Sequence, residues 1–280
     1  MSPRHSARMS WGEALVLGAV QGVTEFLPVS SSAHVSLAGR LFGGRDPGAA
    51  FTAVTQLGTE AAVLWWFRDD VTRLARGSTR APASSTEARS AWSIIAGTVP
   101  ICLAGAGLRR LVTGPFRDLR VTATMLAGFG LVMRAADRKS AQDKTIEDIT
   151  IRDGVLFGCA QALSLVPGVS RSGATIAGGL FLGYERSEAA RYSFLLAIPA
   201  VLISGAQQAF DVARDPNPPE WGHLAAATGV AFGTGYGVIA WFMRHLAEAD
   251  LRGFVRYRFA LAALLAGLLL AGTLRPEDQV

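Results

Sequence analysis

Apolar runs of two lengths alternate with short polar segments along the chain. Long runs occupy roughly 49–67, 92–112, 120–136, 189–210, 223–243 and 257–274. A helix needs about 20 residues to cross a hydrocarbon core of roughly 30 Å. Each long run therefore predicts one membrane span, 120–136 only with its flanks. Short runs occupy about 13–27, 33–43, 154–166 and 174–183. As helices these rise only about 15–23 Å and stop inside the bilayer. They come in pairs, each interrupted by a polar stretch. The first is QGVTEFLPVSSSAHV at 21–35 and the second lies within GCAQALSLVPGVSRSGATI at 158–176. Pro28 and Pro167 break the helices there. Each pair predicts a re-entrant hairpin with its polar turn at membrane depth. Irregular backbone is tolerated at that depth where protein buries it or where it lines a wet cavity.

The two polar stretches share an order: small residue, two others, Gln, then Pro, a Ser-rich turn and an apolar helix start. Gly-rich exits follow, AGRLFGG and AGGLFLG, and then a long apolar segment. The period is roughly 140 residues, half of the 280. Each half holds one hairpin and three spans, and an odd number of spans inverts the second half. Inverted repeats place sites near the midplane, where the halves meet. The expected fold is an all-α polytopic membrane protein with an inverted-topology repeat, about six transmembrane helices and two re-entrant hairpins. It forms a single membrane domain over 1–280, with repeat one about 10–136 and repeat two about 150–274.

Composition agrees: half of the residues are hydrophobic and the mean hydropathy is +0.30. The net charge of +5 is read as loop residues that meet anionic headgroups, not as a nucleic-acid surface. Sixteen Lys and Arg fall on the face opposite the termini and 10 on the terminal face. The positive-inside bias makes the richer face cytoplasmic in a plasma (inner) membrane and opens the first hairpin outward. The polar, basic start MSPRHSARMS leads into no small-residue cleavage site, so no removable signal peptide is expected. Cys102 and Cys159 lie in apolar segments without metal or disulfide spacing.

The chemistry concentrates in the turns. Gln21 and Glu25 are four apart on one helix face. Arg171 lies in the opposite turn, within reach of Glu25 if both hairpins meet at the midplane. An ion pair tying the repeats together would need only those two. Ser30, Ser31, Ser32 and His34 in one turn, with Ser170, Ser172 and Thr175 in the other, exceed that need. These types suit a phosphate: Arg offers a planar fork of donors, hydroxyls add short ones, and each turn precedes a helix N-terminus. Gln21 and Glu25 offer oxygen ligands for a hard cation, Mg²⁺ or Ca²⁺. His34 suits proton transfer near neutrality, and Ser31 is a candidate nucleophile if a base lies in reach. No Walker loop, HExxH or GxSxG pattern is present.

QGVTEFLPVSSSAH and PGVSRSGAT resemble the two signature motifs of the bacterial undecaprenyl-diphosphate phosphatase family, the bacitracin-resistance type. The resemblance spans essentially the whole chain, including QLG at 56–58. It implies a divalent-metal-dependent membrane hydrolase that takes the terminal phosphate from a C55 polyprenyl diphosphate and so regenerates the cell-wall lipid carrier. Its partners are that lipid and the membrane, with no nucleic acid. It implies catalytic roles for Glu25, Ser31, His34 and Arg171. Substrate binding falls to Gln21, Ser30, Ser170, Ser172 and Thr175, and metal binding to Glu25 and Gln21. Gln21 is the less acidic of the two residues the family admits there, which leaves Glu25 as the one carboxylate of the pair. Glu60, four residues after Gln56, is an extra intramembrane acid that either helps hold metal or pairs with a nearby Arg. The competing class is a lipid-phosphate flippase using the same anion site without a nucleophile. A purely structural scaffold would need none of this chemistry.

Overall fold

A computed structural model describes residues 9–43, 48–79, 85–112, 115–214 and 220–275. Its helices are α1 (Trp11–Phe26), α2 (Ser31–Gly43), α3 (Gly48–Trp66), α4 (Arg68–Thr79), α5 (Thr86–Gly107) and α6 (Arg109–Val112). They continue with α7 (Leu119–Lys139), α8 (Ile151–Ala162), α9 (Arg171–Phe181), α10 (Arg186–Ala213), α11 (Trp221–Glu248) and α12 (Arg252–Leu270). The short pairs α1/α2 and α8/α9 are the expected hairpins.

Local chemistry sets both hairpins in the same way. Ser10 caps α1, its hydroxyl accepting from the Glu13 N–H at 3.2 Å, and Thr150 caps α8, accepting from the Asp153 N–H at 3.0 Å. α1 stops at Phe26 because Leu27 precedes Pro28 and is held extended at φ −71°, ψ 142°. α8 stops at Ala162 and runs through a 3-10 turn, Leu163–Leu165, before Pro167.

Each inward arm packs on a helix of the other half. α1 lies on α11, and α8 lies on α5. A Cβ at Gly18 would collide with the Ala227 carbonyl, and one at Gly158 with the Gly97 carbonyl. Small residues let the backbones approach that closely, the usual means of helix association in lipid. α7 against α12 and α3 against α10 complete the bundle. Phe26, Phe67, Phe194 and Phe242 pack edge-on or tilted beside the first hairpin. Apolar side chains also face outward, among them Leu103, Leu131, Ile203 and Leu264.

Among the described residues, α5, α7, α10, α11 and α12 are long and apolar enough to cross a membrane, and the chain is a multi-pass membrane protein. The other expected span, α3, is 19 residues long, and its polar Thr55, Gln56, Thr59 and Glu60 face inward and lower its hydropathy. Two expectations change. The segment 68–90, read as a loop, contains α4, an amphipathic helix tied to α10 by the ion pair of Asp70 with Arg191. Arg258, counted with the cytoplasmic loop 244–258, is fully buried in α12, which begins at Arg252. Without it the face count falls to 15 against 10.

Candidate active site

The two turns meet, and Glu25 is where they join. It closes the last turn of α1 and accepts four hydrogen bonds. Gln21 Nε2 donates from 2.8 Å, one turn earlier on the same face. Ser31 Oγ, the first residue of α2, donates from 2.6 Å. Gln56 Nε2 of α3 donates from 2.8 Å. Arg171, the first residue of α9, completes the set with an ion pair at 2.9 Å. Both partners of the pair are largely buried, at 5% and 13% side-chain exposure for Glu25 and Arg171, so the pair lies in a poorly screened environment. The second guanidinium nitrogen, Nη1, is buried and has no hydrogen-bond partner among the described residues.

The backbone at the two turns is nearly superposable in kind. Ser30 and Ser170 both take left-handed φ values, 73° and 72°, which non-glycine residues adopt at a cost of about 1–3 kcal/mol. Ser30 Oγ lies 3.2 Å from Ser32 Oγ, and Ser170 Oγ lies 3.2 Å from Ser172 Oγ. Ser170 Oγ also accepts from the Gly173 N–H at 3.2 Å, capping α9. Ser172 donates to the Leu27 carbonyl at 3.1 Å and so stitches one turn to the other. This geometry leaves the start of α2 and the start of α9 beside one carboxylate, with two positive dipole ends at the same place.

Two expected residues sit slightly apart from this core. His34 donates through Nδ1 to the Ser30 carbonyl at 2.7 Å. In the neutral ring its Nε2 accepts from the Tyr257 hydroxyl at 2.7 Å, with the rings stacked. Thr175 is fully buried, its hydroxyl shared between the Arg171 carbonyl at 2.8 Å and Ser193 Oγ.

A family model described as bacitracin resistance protein BacA matches residues 14–264. The chain belongs to the BacA family. Its similarity extends to an "Undecaprenyl-diphosphatase 2" of Streptomyces coelicolor, 50% identical over 96% of this chain and 98% of the relative. An "Undecaprenyl-diphosphatase 2" of Frankia casuarinae is also 50% identical, over the same shares. An "Undecaprenyl-diphosphatase" of Micrococcus luteus is 50% identical over 95% of this chain and 99% of the relative.

Within this BacA-family site, as bonded in this structure, Gln21 and Glu25 do not present a pair of free oxygens to a metal. Glu25 already receives four donors, and Gln21 presents its N–H, not its carbonyl, to that carboxylate. No group of three or more His, Cys, Asp and Glu suited to a metal occurs among the described residues. The buried oxygens without a hydrogen-bond partner among the described residues include Gln21 Oε1 and both oxygens of Glu60.

Sequence reasoning gave no role to three residues here. Gln56 holds Glu25; its signal was a polar i, i+4 pair with Glu60 on a spanning helix. Tyr257 holds His34 from 223 positions away, and nothing local marked that contact. Arg258 donates to Leu126 O at 3.1 Å, Pro28 O at 3.0 Å, Met125 O at 3.3 Å and Gly168 O at 2.7 Å. It thereby pins both hairpin turns to α7. Its signal was a lone cation inside the apolar run 257–274.

Proposed function

We propose that the chain is an integral membrane hydrolase that removes the terminal phosphate of undecaprenyl diphosphate and yields undecaprenyl phosphate for reuse as a cell-wall lipid carrier. The names of its relatives support this reading. One observation carries it: Glu25 accepts simultaneously from Ser31 at the start of α2 and from Arg171 at the start of α9.

The diphosphate enters between the turns while the prenyl chain stays in lipid. Phosphate oxygens take the unpaired N–H groups of the two helix N-termini and the free Nη1 of Arg171. Glu25, 2.6 Å from Ser31 Oγ, takes its proton. Ser31 Oγ bonds to the terminal phosphorus, the bond to the bridging oxygen breaks, and the lipid monophosphate leaves with the electron pair. Arg171 neutralises the charge that shifts in the transition state. Water then splits the serine phosphate and a proton returns to Ser31. His34, through the Ser30 carbonyl, positions the turn that carries Ser31, and with the Tyr257 hydroxyl it relays protons toward solvent. Ser30, Ser170 and Ser172 hold the turns in shape, and the first hairpin opens to the outer face of the plasma membrane.

Phosphate release from undecaprenyl diphosphate by the purified protein in detergent tests this, because transport has no meaning there. Release that disappears with Ser31→Ala is expected. Intact substrate after prolonged incubation favours the flippase class and sinks the hydrolase.

A further inference from the structure

One buried carboxylate takes no part in the bonded set around Glu25. Glu60 lies on α3 one turn beyond Gln56, whose amide holds Glu25. It is fully buried, and neither of its oxygens has a hydrogen-bond partner among the described residues. The charged groups that act on it are Arg171 and Glu25, and Arg171 is already paired with Glu25. The alternative that Glu60 pairs with an arginine is therefore not what the fold builds.

A second acceptor without a donor lies against the same centre. Gln21 spends its N–H on Glu25, and its Oε1 is buried and unbonded. Buried polar groups are ordinarily satisfied, and a lone buried carboxylate is costly unless a cation meets it. Here three unsatisfied oxygens, one neutral and two of a carboxylate, belong to α1 and α3, the two helices whose Gln21 and Gln56 bond Glu25. Oxygen acceptors lacking donors are what a hard divalent cation takes. Mg²⁺-like ions commonly use one or two carboxylates and fill their remaining positions with water and substrate phosphate oxygens. The adjacent free Nη1 of Arg171 is a donor waiting for the same phosphate.

We infer that Glu60 and Gln21 Oε1 are the protein ligands of a divalent-cation site, the cation being shared with the diphosphate oxygens. The inference rests on the diphosphate reading above. It moves the cation from the expected Gln21/Glu25 pair to a carboxylate on α3. It also accounts for the glutamine at position 21, since the second acid of the centre comes from a different helix.

The test uses full-length protein in detergent with Mn²⁺ as the cation and methylenediphosphonate as a diphosphate that cannot be hydrolysed. Bound Mn²⁺ is read from the loss of the free-ion electron paramagnetic resonance signal beyond that of a protein-free sample with the same methylenediphosphonate. One site per chain is expected. Glu60→Gln should weaken it by about tenfold or more, a typical loss when a metal site loses a supporting group. Glu248→Gln, exposed at the end of α11, should leave it unchanged. Equal Mn²⁺ affinity in Glu60→Gln and the unaltered chain overturns the inference, as does no Mn²⁺ binding by the unaltered chain up to millimolar concentration. If Glu60→Gln does not fold, Glu60→Asp carries the test: a severalfold weaker site supports the inference and an unchanged one overturns it. Phosphate release from undecaprenyl diphosphate by the same preparations separates the two ideas. Hydrolysis without a Glu60-dependent Mn²⁺ site removes only the cation site. A Glu60-dependent site without hydrolysis removes only the hydrolase.

Discussion

Ser30 and Ser170 stand 140 residues apart, and each is held at nearly the same left-handed φ. Each leads its hydroxyl to a serine two residues on at 3.2 Å. Arg258 grips the carbonyl two residues before each of them, at Pro28 and at Gly168. The side chains at matching positions differ. Where the first hairpin has Glu25, Ser31 and His34, the second has Leu165, Arg171 and Ala174. What the turns share is framework: a strained serine, a helix start, a pinned carbonyl. What they do not share is chemistry. In the proposed reaction the base and nucleophile sit on one side and the phosphate clamp on the other. The repeated backbone supplies two helix N-termini at one point, and the differing side chains give each its own task in the proposed reaction.

The comparison can be broken at the clamp first. Arg171→Ala leaves Glu25 without its ion partner and the phosphate without its fork. Turnover is expected to fall by about 10³-fold or more, in line with losses of a transition-state donor, measured as phosphate release. Breaking a buried pair also destabilises by about 3–5 kcal/mol, readable as a lower Tm. Near-normal turnover would reduce Arg171 to a structural tie.

Ser31→Ala acts on the other side. It is expected to cost about 10³-fold in kcat at little change in Tm. Ser32→Ala, exposed and bonded only to Ser30, should stay within about threefold, since it does not touch the reacting atoms. Equal small losses would remove the nucleophile from the first turn.

The shared framework is probed by Arg258→Lys. An ammonium cannot reach four carbonyls that a guanidinium spans, so buried acceptors lose partners at about 1–3 kcal/mol each. Tm should drop, and kcat should fall by about tenfold or more because both turns shift together. An unchanged kcat would mean that the turns hold themselves.

The smallest effect separates the matched glutamines. Gln21 binds Glu25, whereas Gln161 is buried with neither amide atom bonded. Gln21→Leu should lose about tenfold in activity, the scale of one lost hydrogen bond to a charged group. Gln161→Leu should leave activity unchanged and raise Tm slightly, since it removes an unsatisfied polar group. Equal responses would place both glutamines in the framework.

Much of this arrangement was readable from the residues. The hairpins follow from apolar runs too short to span and from prolines beside polar turns, features that act locally. Glu25 and Arg171 stood out because charge inside apolar sequence is expensive, and the inverted count of spans brings their turns together. The rest depends on contacts between distant segments. Tyr257 is an ordinary aromatic at a helix start until α12 lies beside α2. Arg258 resembled a loop cation because it lies at the edge of its apolar run, and only packing encloses it. Helix α4 carries Arg68, Asp69, Asp70, Arg73 and Arg76, a charge density that reads as loop until Asp70 meets Arg191. The metal pair suggested by Gln21 and Glu25 has correct spacing, but spacing does not reveal that Glu25 is already fully bonded.

The central claim is that the first turn makes the covalent bond while the second holds the phosphate. Rapid quenching of the enzyme with undecaprenyl diphosphate labelled on its terminal phosphorus tests it most directly. The expected result is an acid-stable, base-labile label on Ser31, absent from Ser31→Ala and formed at a much reduced rate in Arg171→Ala. An acid-labile label on His34, or full turnover with no labelled protein at any time, would contradict it.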